Sequence, residues 1–147
     1  MVEVFFSDNR GLVARVIKSF TWSKFCHVGF YDRQNGTVID SDFSRKGVTE
    51  YSFDELKKAY PRVILRTFPN VPRSALDVAR SQIGKPYDLT AVLGIGVHRN
   101  WQDPSKWFCA EFLAWSCQEV GAPIINKEAW RVTPQDVLEV SSAALFE

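Results

Sequence analysis

Between residues 25 and 68 turn chemistry cuts the chain into short runs rich in β-branched and aromatic side chains. Runs of this length bury their apolar side chains as strands of one sheet. Residues 25–32 and 37–42 flank Arg33-Gln34-Asn35-Gly36, a turn that predicts a hairpin. Residues 47–53 add a third strand and residues 62–68 another, so the sheet is expected to be mostly antiparallel.

Helical spacing governs the flanking segments. A strand over 2–6 leads into Leu12, Val13, Val16, Ile17 and Phe20, which predict an amphipathic helix over 11–20. Residues 54–59 read as a helical turn closed by Pro61. Residues 71–83 read as a helix stopped by Gly84 and Pro86. A long irregular connection is expected over 85–103. The next helix starts within 105–109 and runs to Gly121, with Cys109, Phe112, Leu113, Ser116 and Val120 on one face. Thr133-Pro134 opens a last short helix as N-cap and first-turn proline. The fold class expected is α+β, a mostly antiparallel sheet with packed helices, in a single domain over 1–147.

Several function classes lose support at this level. The 18 basic residues are spread along a chain of net charge +1, which leaves no footprint for nucleic acid. No segment approaches the ~18 apolar residues of a membrane span, and Glu3 stands where an export signal would be basic. Three cysteines, an odd number, point to free thiols and a cytoplasmic setting. The two histidines and scattered cysteines match no zinc spacing, so neither a metal nor a cofactor is expected. Nothing in the pattern fixes an oligomeric state.

Thiol chemistry remains. Cys109 lies where a loop enters a helix, and unpaired N–H groups at a helix start favour thiolate and can hold an oxyanion. Cys117 falls in mid-helix and reads as core. His27 sits on a strand, with Gly29 leaving room for a helix terminus to approach, whereas His98 lies in the long connection and is the competing base. Alternation along the strand sends Cys26 to the opposite face from His27, as a structural residue. Asp40 or Asp42 is the acceptor that would orient the imidazole. A two-residue Asn35-Gly36 turn places position 27 opposite position 44 and favours Asp42; a four-residue connection over 32–35 places it opposite Asp40. Tyr87, Trp101 and Trp107 are candidates to line a substrate cleft.

The segments Cys26-His27-Val28-Gly29-Phe30, Val38-Ile39-Asp40, Gly84-Lys85-Pro86-Tyr87-Asp88, Trp107-Phe108-Cys109-Ala110-Glu111-Phe112 and Thr133-Pro134-Gln135-Asp136 occur in that order. Together the chain resembles the circularly permuted branch of the NlpC-type papain-like hydrolases, the group of YaeF/YiiX-like proteins with lecithin:retinol acyltransferase relatives further off. Cys26 stands where that family has a small residue before the histidine, and Ala110 replaces a serine after the nucleophile. The resemblance implies a permuted papain-like fold, Cys109 as nucleophile, His27 as base and Asp40 as third member. It implies a cysteine hydrolase acting on a peptide or isopeptide amide through a thioacyl intermediate, with Tyr87 and Trp107 near the substrate. An acyltransferase or thioesterase on lipid acyl groups, and a silent binding module of the same fold, are the alternatives.

Overall fold

The computed structural model describes residues 1–88 and 106–143. Strand β1 (Val2–Asp8) is followed by helix α1 (Leu12–Thr21), then β2 (His27–Asp32), β3 (Thr37–Asp42) and β4 (Gly47–Ser52). Helix α2 (Phe53–Ala59), β5 (Arg62–Phe68) and α3 (Ser74–Arg80) complete the first stretch. Helix α4 (Cys109–Glu119), a 3-10 turn (Ala129–Arg131), α5 (Pro134–Val140) and β6 (Ser142–Ala143) follow. The six strands form one sheet, ordered β4-β3-β2-β1-β5-β6, in which every pairing is antiparallel. This is the α+β class expected from the strand and helix signals.

Local chemistry explains the element ends. Ser52 caps α2 by accepting from the Glu55 N–H, which ends β4 one residue before the predicted limit. Thr133 and Asp136 form a capping box around Pro134 at the start of α5. The helix expected over 71–83 is regular only from Ser74 to Arg80, because the N–H groups of Gln82 and Ile83 bond the carbonyls three residues back. Residues 89–103 of the predicted connection, with His98 and Trp101, lie outside the described residues.

The pairing sets which side chains share a face. Phe5 stands opposite Gly29 and Ser7 opposite His27, while Tyr31 stands opposite Val38. Alternation then puts His27, Gly29, Asp40 and Asp42 on one face and Val28, Phe30, Ile39 and Ser41 on the other. Helix α4 covers the second face: Phe112 meets Phe30 edge-on, ring centroids 6.3 Å apart. Its burial is not confined to the single stripe that spacing predicts, since Ala110, Glu111, Ala114 and Cys117 are buried with Cys109, Phe112, Leu113 and Ser116. The sheet takes one side of the helix, and α3 and the 3-10 turn take others. Each fully buried Phe or Leu there contributes about 1.5–3 kcal/mol.

A β-bridge joins Tyr87 to Trp107, with the Trp107 N–H on the Pro86 carbonyl at 2.9 Å and the Asp88 N–H on the Trp107 carbonyl at 3.0 Å. That strap is held to the sheet through Gly47. The Val48 N–H donates to the Lys85 carbonyl at 2.9 Å, and Gly47 adopts φ +141°, where a Cβ would stand 2.1 Å from that carbonyl oxygen. Both the backbone conformation and the contact demand glycine. Gly47→Ala is therefore expected to destabilise the fold by about 3 kcal/mol. Urea unfolding measures this, and an unchanged midpoint would contradict the account.

Candidate active site

The connection between β2 and β3 spans four residues, Arg33 to Gly36, with Asp32 paired to Thr37. This register is neither of the two that the turn chemistry offered. It falls between them, and its continuation sets His27 opposite Asp42 and Gly29 opposite Asp40. The imidazole nevertheless reaches diagonally: His27 Nε2 lies 2.8 Å from Asp40 Oδ2. Asp42 takes another partner, accepting from Tyr60 Oη at 3.0 Å and from the Ser44 N–H at 3.0 Å.

Packing holds this arrangement rigid. The Tyr60 ring stacks on His27 at 5.7 Å with 10° between planes, and Phe5 tilts against its other surroundings at 5.6 Å. Tyr51 Oη donates to the same Asp40 oxygen at 2.6 Å. Asp40 Oδ1 is buried without a hydrogen-bond partner among the described residues. Gly29 is required here as well, but not for the approach of a helix terminus: a Cβ would meet Asp40 Cβ and Phe5 Cε1, each at 2.6 Å. The space is filled from within the sheet.

A cleft of about 230 Å³ opens at the end of the sheet where β2 starts and β3 finishes. Cys26, His27, Asp42, Tyr60 and Tyr87 line it, with α1 as one wall. The expectation that Cys26 and His27 cannot share a site is thus corrected. Strand pleating begins only at His27, and the cleft wraps around the strand end, so alternation does not separate the two residues. Trp107 is not among the lining residues. Its ring packs on Phe112 and Trp115, and its Nε1 donates to Gln82 at 3.2 Å.

Cys109 is the first residue of α4 and is fully buried. The N-cap residue of α4, Phe108, makes no side-chain capping bond to the N–H groups of the first turn. Cys109 stands on the side of the sheet covered by α4, and among the described residues no hydrogen bond joins it to His27. Tyr87 stands between the two electrically. Burial pushes its phenol well above the ordinary range, a nearby Cys109 thiolate adds to this, and His27 opposes it. Its hydroxyl is buried without a hydrogen-bond partner among the described residues.

Charge in the cleft is unevenly matched. Burial works against an imidazolium at His27, but Tyr60, Asp40 and Asp42 outweigh it and raise the ring well above the usual imidazole range. Burial also opposes the Asp42 carboxylate, yet His27, the Ser44 N–H and Tyr60 bring it below its ordinary value. Burial lifts Cys26 to about 11 and Cys117 to about 12. Those two thiols are therefore poor nucleophiles.

Two features escaped the sequence. His27, Asp40 and Asp42 bring a nitrogen and two carboxylate oxygens within 4.8 Å of one another, a possible cation site despite the absence of ligand spacing. The donors come from adjacent strands, so no linear motif marks them. Glu111, two residues beyond Cys109, is buried with Oε2 unpartnered among the described residues, and burial raises its carboxyl to about 7.

No family model matches the chain, and no curated protein does. Among solved structures it is similar to the metalloprotein YiiX from Escherichia coli O157:H7, at 15% identity and a TM-score of 0.69. The match covers 94% of this chain and 91% of that one, and it shows a shared fold.

The Glu111 carboxyl has a defined effect on stability. Its folded value, about 7, exceeds its ordinary 4.5, so between those values the folded state binds more protons than the unfolded one. Stability contributed by the protonated carboxyl is present below about 4.5 and is lost as pH rises through about 7. Glu111→Gln is expected to gain on the parent by about 3 kcal/mol across that window. Urea melts of both proteins at a series of pH values read the difference, and parallel curves would refute it.

Proposed function

We propose that the chain is a cysteine hydrolase of the permuted papain-like, NlpC-type kind that cleaves a peptide or isopeptide amide. The observation that carries the reading is the His27 ring tied through Nε2 to buried Asp40 at 2.8 Å beside a cleft. That bond fixes the ring and leaves Nδ1 as the nitrogen to exchange a proton. Cys109, at the start of α4, is the thiol to supply it. Hydrogen bonds between nucleophile and base are commonly long without substrate and tighten in the Michaelis complex.

In this mechanism the Cys109 proton passes to His27 and the thiolate attacks the amide carbonyl. First-turn N–H groups of α4 stabilise the oxyanion. Collapse breaks the C–N bond, and His27 returns the proton to the departing amine. Water, deprotonated by His27, then releases the acyl group from sulfur. An amine or alcohol taking the place of water would make the same site an acyltransferase.

Labelling with iodoacetamide, mapped by mass spectrometry, tests the core of this scheme. Modification is expected at Cys109, with Cys26 and Cys117 spared. His27→Ala should slow it about a hundredfold, the scale of a positioned base. Equal rates in the parent and His27→Ala would overturn the proposal in favour of a binding module.

A second reading is favoured by the grouping of His27, Asp40 and Asp42 and by the buried, unpartnered Asp40 Oδ1. Imidazole and carboxylate donors suit a divalent transition ion, and the similar YiiX is described as a metalloprotein. These three residues would hold such an ion, which would supply Lewis-acid polarisation of a carbonyl. Here Asp42 becomes a ligand, whereas in the thiol scheme it only adds negative charge near the ring. Zinc or manganese titration followed by calorimetry is expected, on this reading, to show one site that Asp42→Asn removes. Hydrolysis that survives a chelator unchanged would reject a catalytic role for the ion.

A further inference from the structure

We propose that α1 docks the protein on an anionic lipid surface, with the mouth of the His27 cleft beside the point of contact. Residues 9–26 carry Arg10, Arg15, Lys18 and Lys24 and contain no Asp or Glu. Ala14 and Ile17 turn inward and are buried, whereas Leu12, Arg15, Ser19 and Trp22 recur at helical spacing on the solvent side. Leu12 is 77% exposed and Trp22 88%, at the two ends of that stripe. Lys18 pairs with Asp8 at 3.0 Å. Among the described residues no acidic side chain pairs with Arg10, Arg15 or Lys24, all of which are exposed.

Isolated exposed apolar residues are ordinary on protein surfaces. Trp22 differs because it ends α1 in the left-handed region at φ 53°, a position where glycine or asparagine is usual. A bulky residue held there costs free energy, and at 88% exposure it recovers almost nothing by packing. An indole at the headgroup level of a bilayer would recover it, since indole favours that layer. Basic side chains interleaved with exposed Leu and Trp are the pattern of a helix lying in a membrane interface. Their charge complements phosphate headgroups and leaves an acidic lipid as the occupant.

The position of the helix gives the contact a consequence. Gly11, Leu12 and Val13 line the same cleft as His27, so docking through α1 holds that opening next to the lipid. The inference stands whether the site works through Cys109 or through a metal ion.

Flotation with phosphatidylcholine vesicles, with and without phosphatidylglycerol, tests it on the intact protein. Binding is expected only with phosphatidylglycerol and should weaken as salt is added. Arg15→Ala should lower affinity roughly fivefold. Trp22→Ala should lower it at every salt concentration. Both side chains are exposed, and thermal melts confirm that the variants remain folded. No binding to either vesicle, equal binding to both, or an Arg10→Glu/Arg15→Glu double variant that floats like the parent would overturn the proposal. Iodoacetamide labelling of Cys109 in the same samples reports the catalytic reading separately.

Discussion

Asp40 is a carboxylate with no solvent exposure, and a charge in that position survives only with partners. Its Oδ2 receives both His27 Nε2 and the Tyr51 hydroxyl, from the strands on either side of β3. Neither partner stands directly opposite. Asp40 pairs across the sheet with Thr49, whose hydroxyl is unpartnered among the described residues, and on its other side lies against Gly29, which has no side chain to offer. The two diagonal contacts therefore fix three strands in one register. Removing one member of such a buried pair typically costs 3–5 kcal/mol, roughly, because the other charge remains behind.

The next residue on β3 reaches the segment that leads into Cys109. Ser41 points to the opposite face and donates to the Trp107 carbonyl at 2.6 Å. Trp107 lies two residues before Cys109 and is bridged to Tyr87. Pleating thus lets one strand orient the imidazole on one side of the sheet through Asp40 and anchor the entry to α4 on the other through Ser41. Tyr87 lines the cleft within electrical reach of Cys109, Cys26, His27 and Asp42.

Much of this was legible from periodicity. The strand runs and the short α5 with Thr133 and Pro134 follow from side-chain spacing and capping chemistry, and spacing confines the start of α4 to residues 105–109. The turn chemistry leaves Asp40 and Asp42 both open, only the family resemblance implies Asp40, and the two registers considered are each displaced from the one observed. Arg33 to Gly36 form the whole connection, and a local turn signal could not show that the imidazole would prefer the diagonal carboxylate. Cys26 was misplaced because alternation was extended one residue beyond the strand. Burial on nearly every side of α4, and with it the raised Glu111 carboxyl, depends on α3 and the 3-10 turn packing from directions that a one-face pattern does not encode.

The electrostatics of the cleft place both candidate chemistries on the same atoms. Asp40 and Asp42 lie two apart on β3, so the pleat presents two carboxylates beside one imidazole. With a proton on His27 the three groups carry one net negative charge, and among the described residues no Lys or Arg forms an ion pair with either acid. A proton on the ring stabilises a neighbouring thiolate, while a divalent cation would compensate the same pair of acids more fully and occupy the nitrogen or oxygens that the proton relay uses. The two uses exclude each other at any one moment. Arg15 and Lys18 of α1 are not among the residues lining the cleft, whose ionisable members include His27 and Asp42.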